Sequence, residues 1–340
     1  MSVLSSPLQI PLKEPLLSFC KATADTLRLD ILRVLSQESF GVLELCHIFE
    51  TPQSGMSHHL KILANAGLVT ARREGNSIFY RRALIGADDP LSAVMESLFE
   101  TVDQLPMSTD VLGRTQEVHS ERSARSQEFF ARNVDRLKQN QDLIADYSHY
   151  SGCLSDLLSN ENLDSEASVL EVGPGACYLL DNLAEQFTQV VAIDNSRAML
   201  EKARSTLSRK HAGRVEFIHT NIEALSRPAR LFDLIVLNMV LHHIPSPAGF
   251  FSQAARLLNP EGLLLIADLC PHDQDWAREI CGDLWLGFEP TDLDHWASEA
   301  GFSKGQNAFL GLKNGFQVQV RLFHLTTTHS PLLNKERTYD

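Results

Sequence analysis

Val169-Leu-Glu-Val-Gly-Pro-Gly-Ala-Cys177, followed by Val190-Val-Ala-Ile-Asp194, decides the fold. The first run reads as a buried strand that enters a glycine-containing turn and a helix start. The second reads as a neighbouring strand that ends on an acid. Together they predict a nucleotide-type pocket at the carboxyl edge of a parallel sheet. Glu171 sets the charge of the expected ligand. A pyrophosphate approaching this loop meets a carboxylate, whereas a ligand carrying an ammonium and a sulfonium meets an opposite charge.

Working outward, apolar β-like runs at 168–172, 190–193, 215–218, 233–237 and 262–267 alternate with helical patterns. That alternation predicts an α/β, doubly wound Rossmann-like sheet. Runs at Phe302–Leu310 and Phe316–Phe323, separated by a Gly-containing turn, predict an antiparallel C-terminal hairpin. Upstream, Asp25 can cap a helix carrying Leu27, Ile31, Leu32 and Leu35, and further helices are expected near Leu43–Phe49 and Ser54–Asn65. Gly67 stands where a helix end needs positive φ. Leu68–Arg73 and Ile78–Arg82 predict a hairpin, and Leu91–Leu105 an amphipathic helix that wants a partner. Residues 106–125 read as linker or solvated helix, and a polar helical stretch from Glu121 to about Leu158 leads into the sheet. The expected division is a DNA-binding and dimerisation domain at 1–105, a linker and helical lead-in at 106–160, an α/β domain at 161–326 and a tail at 327–340.

The 340 residues carry a net charge of −13, yet residues 51–87 hold Lys61, Arg72, Arg73, Arg81 and Arg82 against Glu74 alone. A basic patch on an acidic protein is the pattern of a small DNA-reading module attached to something larger. No apolar run reaches the roughly 18 residues needed to span a bilayer. The N-terminus has no signal-peptide pattern, and Cys20, Cys46, Cys153, Cys177, Cys270 and Cys281 follow neither disulfide nor metal spacing. These features predict a cytoplasmic protein with no membrane partner.

Thr51-Pro-Gln-Ser-Gly-Met-Ser-His-His-Leu-Lys61, with the helix cap and hairpin that follow, resembles the recognition-helix region of ArsR-type winged-helix repressors. The resemblance implies double-stranded operator DNA as a partner and a homodimer joined through the helices at 16–24 and 91–105. Gln53, Ser54, Ser57, His58 and Lys61 fall on the polar side of the helix expected to enter the major groove. Arg72, Arg73, Arg81 and Arg82 surround the wing, where they can neutralise phosphates. His59 has a second reading, as a partly buried helix residue. Metal-sensing relatives carry a Cys-Val-Cys pattern, but Gly41 and Leu43 occupy those positions here and Cys46 stands alone. No metal site is expected.

The stretch from Ser168 to Phe323 resembles the class I S-adenosylmethionine (SAM) methyltransferases, and the whole chain resembles ArsR regulators fused to such a domain. This implies SAM or S-adenosylhomocysteine as the small-molecule ligand. Glu171, Gly173 and Gly175 fall in the family's glycine loop, Asp194 at its ribose-binding acid, with Asn195 and Met199 after it. Asn221 and Ile222 take the adenine positions, and Asn238 ends the fourth strand. Asp194 has an alternative role as a helix cap. Cys177 replaces the family's third glycine. No catalytic base stands out; His242, His243, Asp268 and His272 lie at strand ends where one could sit, each with a structural alternative. Trp276, Trp285 and Phe288 either line the substrate side or belong to the core. Two functions follow as expectations: a regulator that senses an adenosyl ligand, and an active small-molecule methyltransferase carrying a DNA-binding domain. A third is a dimerisation scaffold.

Overall fold

The computed structural model describes residues 13–36, 38–75, 77–86, 88–175, 179–225 and 231–326. Asn76 in the wing turn, Ala176 and Cys177 in the glycine loop, and the tail at 327–340 lie outside the described residues. The chain divides into two compact units, Met1–His119 and Ser120–Asp340.

The first unit is built from α1 (Lys13–Thr23), α2 (Thr26–Val34), β1 (Phe40–Gly41), α3 (Val42–Phe49), α4 (Gln53–Asn65), β2 (Val69–Glu74), β3 (Ser77–Arg82), α5 (Ser92–Gln104) and the start of α6 (Thr109–Asn133). Asp25 starts α2 by accepting a hydrogen bond from the Arg28 amide, which satisfies one of the orphan N–H groups of the first turn. Gly67 has φ +72°. The hairpin pairs Val69 with Arg82 through Glu74 with Ser77, and β1 pairs with β3, giving a three-stranded sheet. Ile31, Leu32, Leu45, Ile48, Met56, Leu60 and Leu63 form a core from which water is wholly excluded. Leu16 and Leu17 on α1 and Val94 on α5 remain exposed.

In the second unit the end of α6 is followed by α7 (Leu137–Ile144), α8 (Tyr147–Ser159), β4 (Ser168–Val172), α9 (Leu179–Gln186), β5 (Gln189–Asp194), α10 (Arg197–Thr206) and β6 (Val215–His219). Then come β7 (Phe232–Asn238), α11 (Pro247–Leu257), β8 (Leu258–Leu269), the short α12 (Trp276–Ile280), α13 (Pro290–Glu299), β9 (Phe302–Gly311) and β10 (Gln317–Leu325). The strands form one sheet in the order β6-β5-β4-β7-β8-β10-β9. The first five neighbours run parallel, and β10 and β9 are antiparallel. Val169, Leu170, Leu234, Ile235, Val236 and Leu237 are all fully buried, so the central strands are covered on both faces. Their unbroken apolar runs are the cause, since alternation would leave one face wet.

The stretch at 106–125 lies mostly within α6, a helix of 25 residues, rather than in an extended linker. Arg122 on it is buried, donates to the Pro245 carbonyl at 2.9 Å and stacks over Trp285 at 4.9 Å. Among the described residues no helix is long and apolar enough to cross a membrane.

Candidate functional site

The strand order reverses between β4 and β7, and in open α/β sheets the crevice beyond the strand ends at such a point is the ligand site. Here the crevice is a cleft open to solvent. Gly173, Pro174 and Gly175 form one wall; Asn238, Met239, His242 and His243, which follow β7, form another. Tyr147 and Tyr150 of α8 face it from the lead-in.

The turn after β4 is made by geometry that only glycine allows cheaply. Gly173 and Gly175 have φ +66° and +54°, and a Cβ on Gly173 would meet both Val240 methyls at 2.8 Å. The Gly173 amide donates to the Ile193 carbonyl at 2.8 Å, which ties the loop to β5.

Glu171, two residues before the loop, is buried and pairs in register with Ala192 and Val236. Neither of its carboxylate oxygens has a hydrogen-bond partner among the described residues. Burial pushes its carboxyl up to about 8. A buried carboxyl left without donors is costly unless something occupies the space beside it, and a cationic group would ionise it.

Asp194 ends β5 and takes the Ser196 amide on Oδ1 at 2.7 Å. Burial lifts it to about 6, against the lowering effects of that hydrogen bond and of His219. The cap of α10 is Ser196, whose hydroxyl accepts from the Met199 amide, so Asp194 is not needed for that task. Met199 is buried, and its terminal methyl stands 4.0 Å from the position a Gly175 Cβ would take. His219 donates to the Asn195 carbonyl at 3.2 Å. Ile222 is buried, whereas the Asn221 side chain is engaged in accepting from the Ala224 amide at 3.0 Å.

The histidines differ sharply from one another. The His242 Nδ1 stands 2.7 Å from Asp268 Oδ1, and Asp268 also accepts from the His242 and Leu269 amides. Burial alone would depress the His242 imidazole, but Asp268 and Asp283 outweigh it and lift it to about 9. Burial and the neighbouring His242 hold His243 well below the usual range. A cationic His242 donates rather than accepts, so at neutral pH it suits an anionic or carbonyl oxygen better than it suits proton abstraction. His272 packs edge-on against Phe316 at 4.6 Å and is not among the residues that line the cleft. Trp276 packs on Phe316 and Phe288 on Trp296, while the Trp285 indole donates to the Ile244 carbonyl; these aromatics are core.

Asp283, Tyr147 and Tyr150 escaped the sequence reading. Asp283 reaches the histidines because the Leu284 and Trp285 amides both donate to the His242 carbonyl, at 3.0 and 3.1 Å. Main-chain contacts of this kind leave no motif. The two tyrosines, three residues apart on a helix capped by Asp146, were the available signal.

On the first unit, Gln53, Ser54, Ser57, His58 and Lys61 are all exposed along α4, while Met56, Leu60 and Leu63 bury its other face. His59 is half-buried near Asp25 and Arg28, the structural alternative. Arg73 is exposed on the wing, with its Nε–H donating to the Gly75 carbonyl. Arg72 pairs with the buried Glu74 at 2.5 Å, and Arg81 is half-buried. Arg82 is held by Asp103 and the Leu32 carbonyl and lies over the Phe99 ring, so its cation serves the fold.

These placements set an expected result. Ser57→Ala and His58→Ala each cost roughly 1–3 kcal/mol on a specific site and little on random DNA. Arg73→Ala weakens binding to all sequences and flattens the salt dependence by about one unit of slope. Anisotropy titrations over a salt series check both; equal losses on specific and random DNA for His58→Ala would remove it from base reading.

Two families match the chain. The methyltransferase domain family matches residues 128–306, and the bacterial regulatory protein arsR family matches residues 25–71. The ubiquinone biosynthesis O-methyltransferase of Methylocella silvestris is 30% identical over 165 residues, covering 48% of this chain and 64% of that protein. The protein of the same description from Coxiella burnetii is 25% identical over 146 residues, covering 39% of this chain and 62% of its own. The chain thus spans less than two thirds of either relative. Among solved structures, the N-methyltransferase NodS of Bradyrhizobium japonicum in complex with S-adenosylhomocysteine aligns over 59% of this chain and 98% of its own, at 18% identity and a TM-score of 0.46.

Proposed function

Because the chain belongs to the methyltransferase domain family and carries an arsR-family segment ahead of that domain, we propose that it is a DNA-binding transcriptional regulator whose second unit binds SAM or S-adenosylhomocysteine as a sensed ligand. The observation that carries this reading is Glu171: a buried carboxyl with no hydrogen-bond partner among the described residues, beside a glycine turn a Cβ would fill. An α-ammonium answers that carboxyl, and the Asp194 carboxylate suits two vicinal ribose hydroxyls. Met199 and Ile222 supply apolar flanks for an adenine ring. With its Oδ1 already engaged, Asn221 has only a second lone pair and its NH2 to offer. The exposed Leu16, Leu17 and Val94 on α1 and α5 support a homodimer through those helices.

Regulation requires that the ligand bind two conformations of the dimer unequally, since equal affinity shifts nothing. A coupling of about 1–3 kcal/mol suffices, a 5- to 150-fold change in operator affinity. The test is a titration of the operator, first selected from genomic fragments by the purified protein, with and without saturating SAM and S-adenosylhomocysteine. Unchanged affinity under both ligands rejects the sensor.

One observation favours a second reading. His242 lines the cleft and is fixed by Asp268, an arrangement suited to holding an acceptor's oxygen for methyl transfer. Labelled SAM incubated with the protein and cell extract would transfer label if this is right; transfer no greater than a protein-free control rejects it.

A further inference from the structure

His242 and His243 end the turn after β7, and Asp283 sits in the loop after α12. One ring nitrogen of each histidine and one carboxylate oxygen of Asp283 lie within 4.8 Å of one another, and all three residues are buried. His242 Nε2 is 3.7 Å from Asp283 Oδ1, and His243 Nδ1 is 4.0 Å from the same oxygen. We propose that His242, His243 and Asp283 bind a divalent first-row transition metal ion in the wall of the cleft.

Several features support this beyond proximity. Metal-bound imidazoles usually donate their second nitrogen to a carboxylate or carbonyl, which fixes tautomer and ring orientation. Asp268 holds the Nδ1 of His242, leaving Nε2 for the metal. The Gly282 carbonyl stands 3.2 Å from His243 Nδ1, and His243 Nε2 is buried with no hydrogen-bond partner among the described residues.

The scaffold around the cluster is rigid. The Leu284 and Trp285 amides clamp the Asp283 loop to the His242 carbonyl, and Phe130 packs edge-on against His243 at 4.8 Å. Gly282 has φ +79°, and a Cβ there would lie 2.3 Å from the Phe129 ring, so the loop closes only with glycine. A divalent ion that displaces the His242 proton keeps a positive charge between the buried Asp268 and Asp283. Two imidazoles and one carboxylate leave coordination positions open, and imidazole with carboxylate favours zinc, cobalt, iron or nickel over calcium or magnesium. Both histidines line the cleft, so the open positions are available to an oxygen or nitrogen of a cleft ligand.

The test uses the full chain, stripped with chelator, dialysed and free of adenosyl ligand, titrated with Co(II) and followed by its visible d–d absorption, with Zn(II) in competition. One ion per chain is expected. His243→Gln and Asp283→Asn should each weaken binding at least about 100-fold, and Asp268→Asn about 10- to 100-fold. A variant replacing His58 and His59 with alanine should bind as wild type does. Circular dichroism melts show which variants fold; should the cleft variants fail, X-ray absorption of the cobalt-loaded wild type must report two imidazole ligands. No bound ion in wild type, fewer than two imidazoles, or loss only in the His58/His59 variant overturns the proposal. Because no adenosyl ligand is present, failure here leaves the adenosyl reading standing, and the reverse also holds.

Discussion

Asp194→Ala is expected to lower affinity for SAM and S-adenosylhomocysteine by at least about 100-fold while leaving ligand-free DNA binding unchanged. The size follows from two hydrogen bonds lost together, each from a ribose hydroxyl to a charged acceptor and each worth roughly 1.5–3 kcal/mol. The fold should survive, because among the described residues the Asp194 carboxylate makes one hydrogen bond, to the Ser196 amide, and Ser196 itself caps α10. Removing a carboxylate that burial has already lifted to about 6 also relieves a desolvation cost, so the ligand-free variant should melt no lower than wild type. Calorimetry on both proteins checks the affinity. A variant that binds as tightly as wild type would place the ribose elsewhere.

Glu171 makes the second large effect, and it is a pH effect. Its folded-state value of about 8 stands above the ordinary 4.5, so the folded protein holds a proton that the unfolded chain gives up between those values. The ligand-free protein therefore loses stability as pH rises from about 4.5 to about 8, by at most about 5 kcal/mol from this group. Glu171→Gln removes that loss, leaving the variant close to wild type at low pH and more stable above pH 8. Ligand binding runs the other way. An ammonium seated beside Glu171 favours the carboxylate, so binding near neutral pH releases a proton, and affinity rises with pH up to about 8. Calorimetry in two buffers of different ionisation enthalpy measures the proton count; no release, or an affinity independent of pH in wild type, would separate Glu171 from the ammonium.

The parts of the molecule legible in sequence are those where one physical demand dominates. Central strands such as β7 must be apolar on both faces, so a run like Leu234–Leu237 is unbroken and easily seen. Asp25 shows as a cap and Gly67 as a helix terminus because each position tolerates few residue types. What escaped was set by tertiary partners. The α6 helix lacks an apolar stripe, so the sequence leaves linker and solvated helix both open at 106–125, and the anchoring of Arg122 by a carbonyl and an indole ring is not visible in it. Arg82 reads like Arg73 in sequence, yet Asp103 and the Leu32 carbonyl hold the first while the second faces solvent. Asp283 meets His242 only because two backbone amides bring their loops together.

An adenosyl group is expected to fit the crevice where β4 and β7 part. Calorimetric titration of S-adenosylhomocysteine into the full chain at pH 8 tests this most directly. The predicted result is saturable binding at one site per chain, abolished by Asp194→Ala. A titration with no binding heat in wild type at several temperatures, and no shift of its melting point by the ligand, would contradict it.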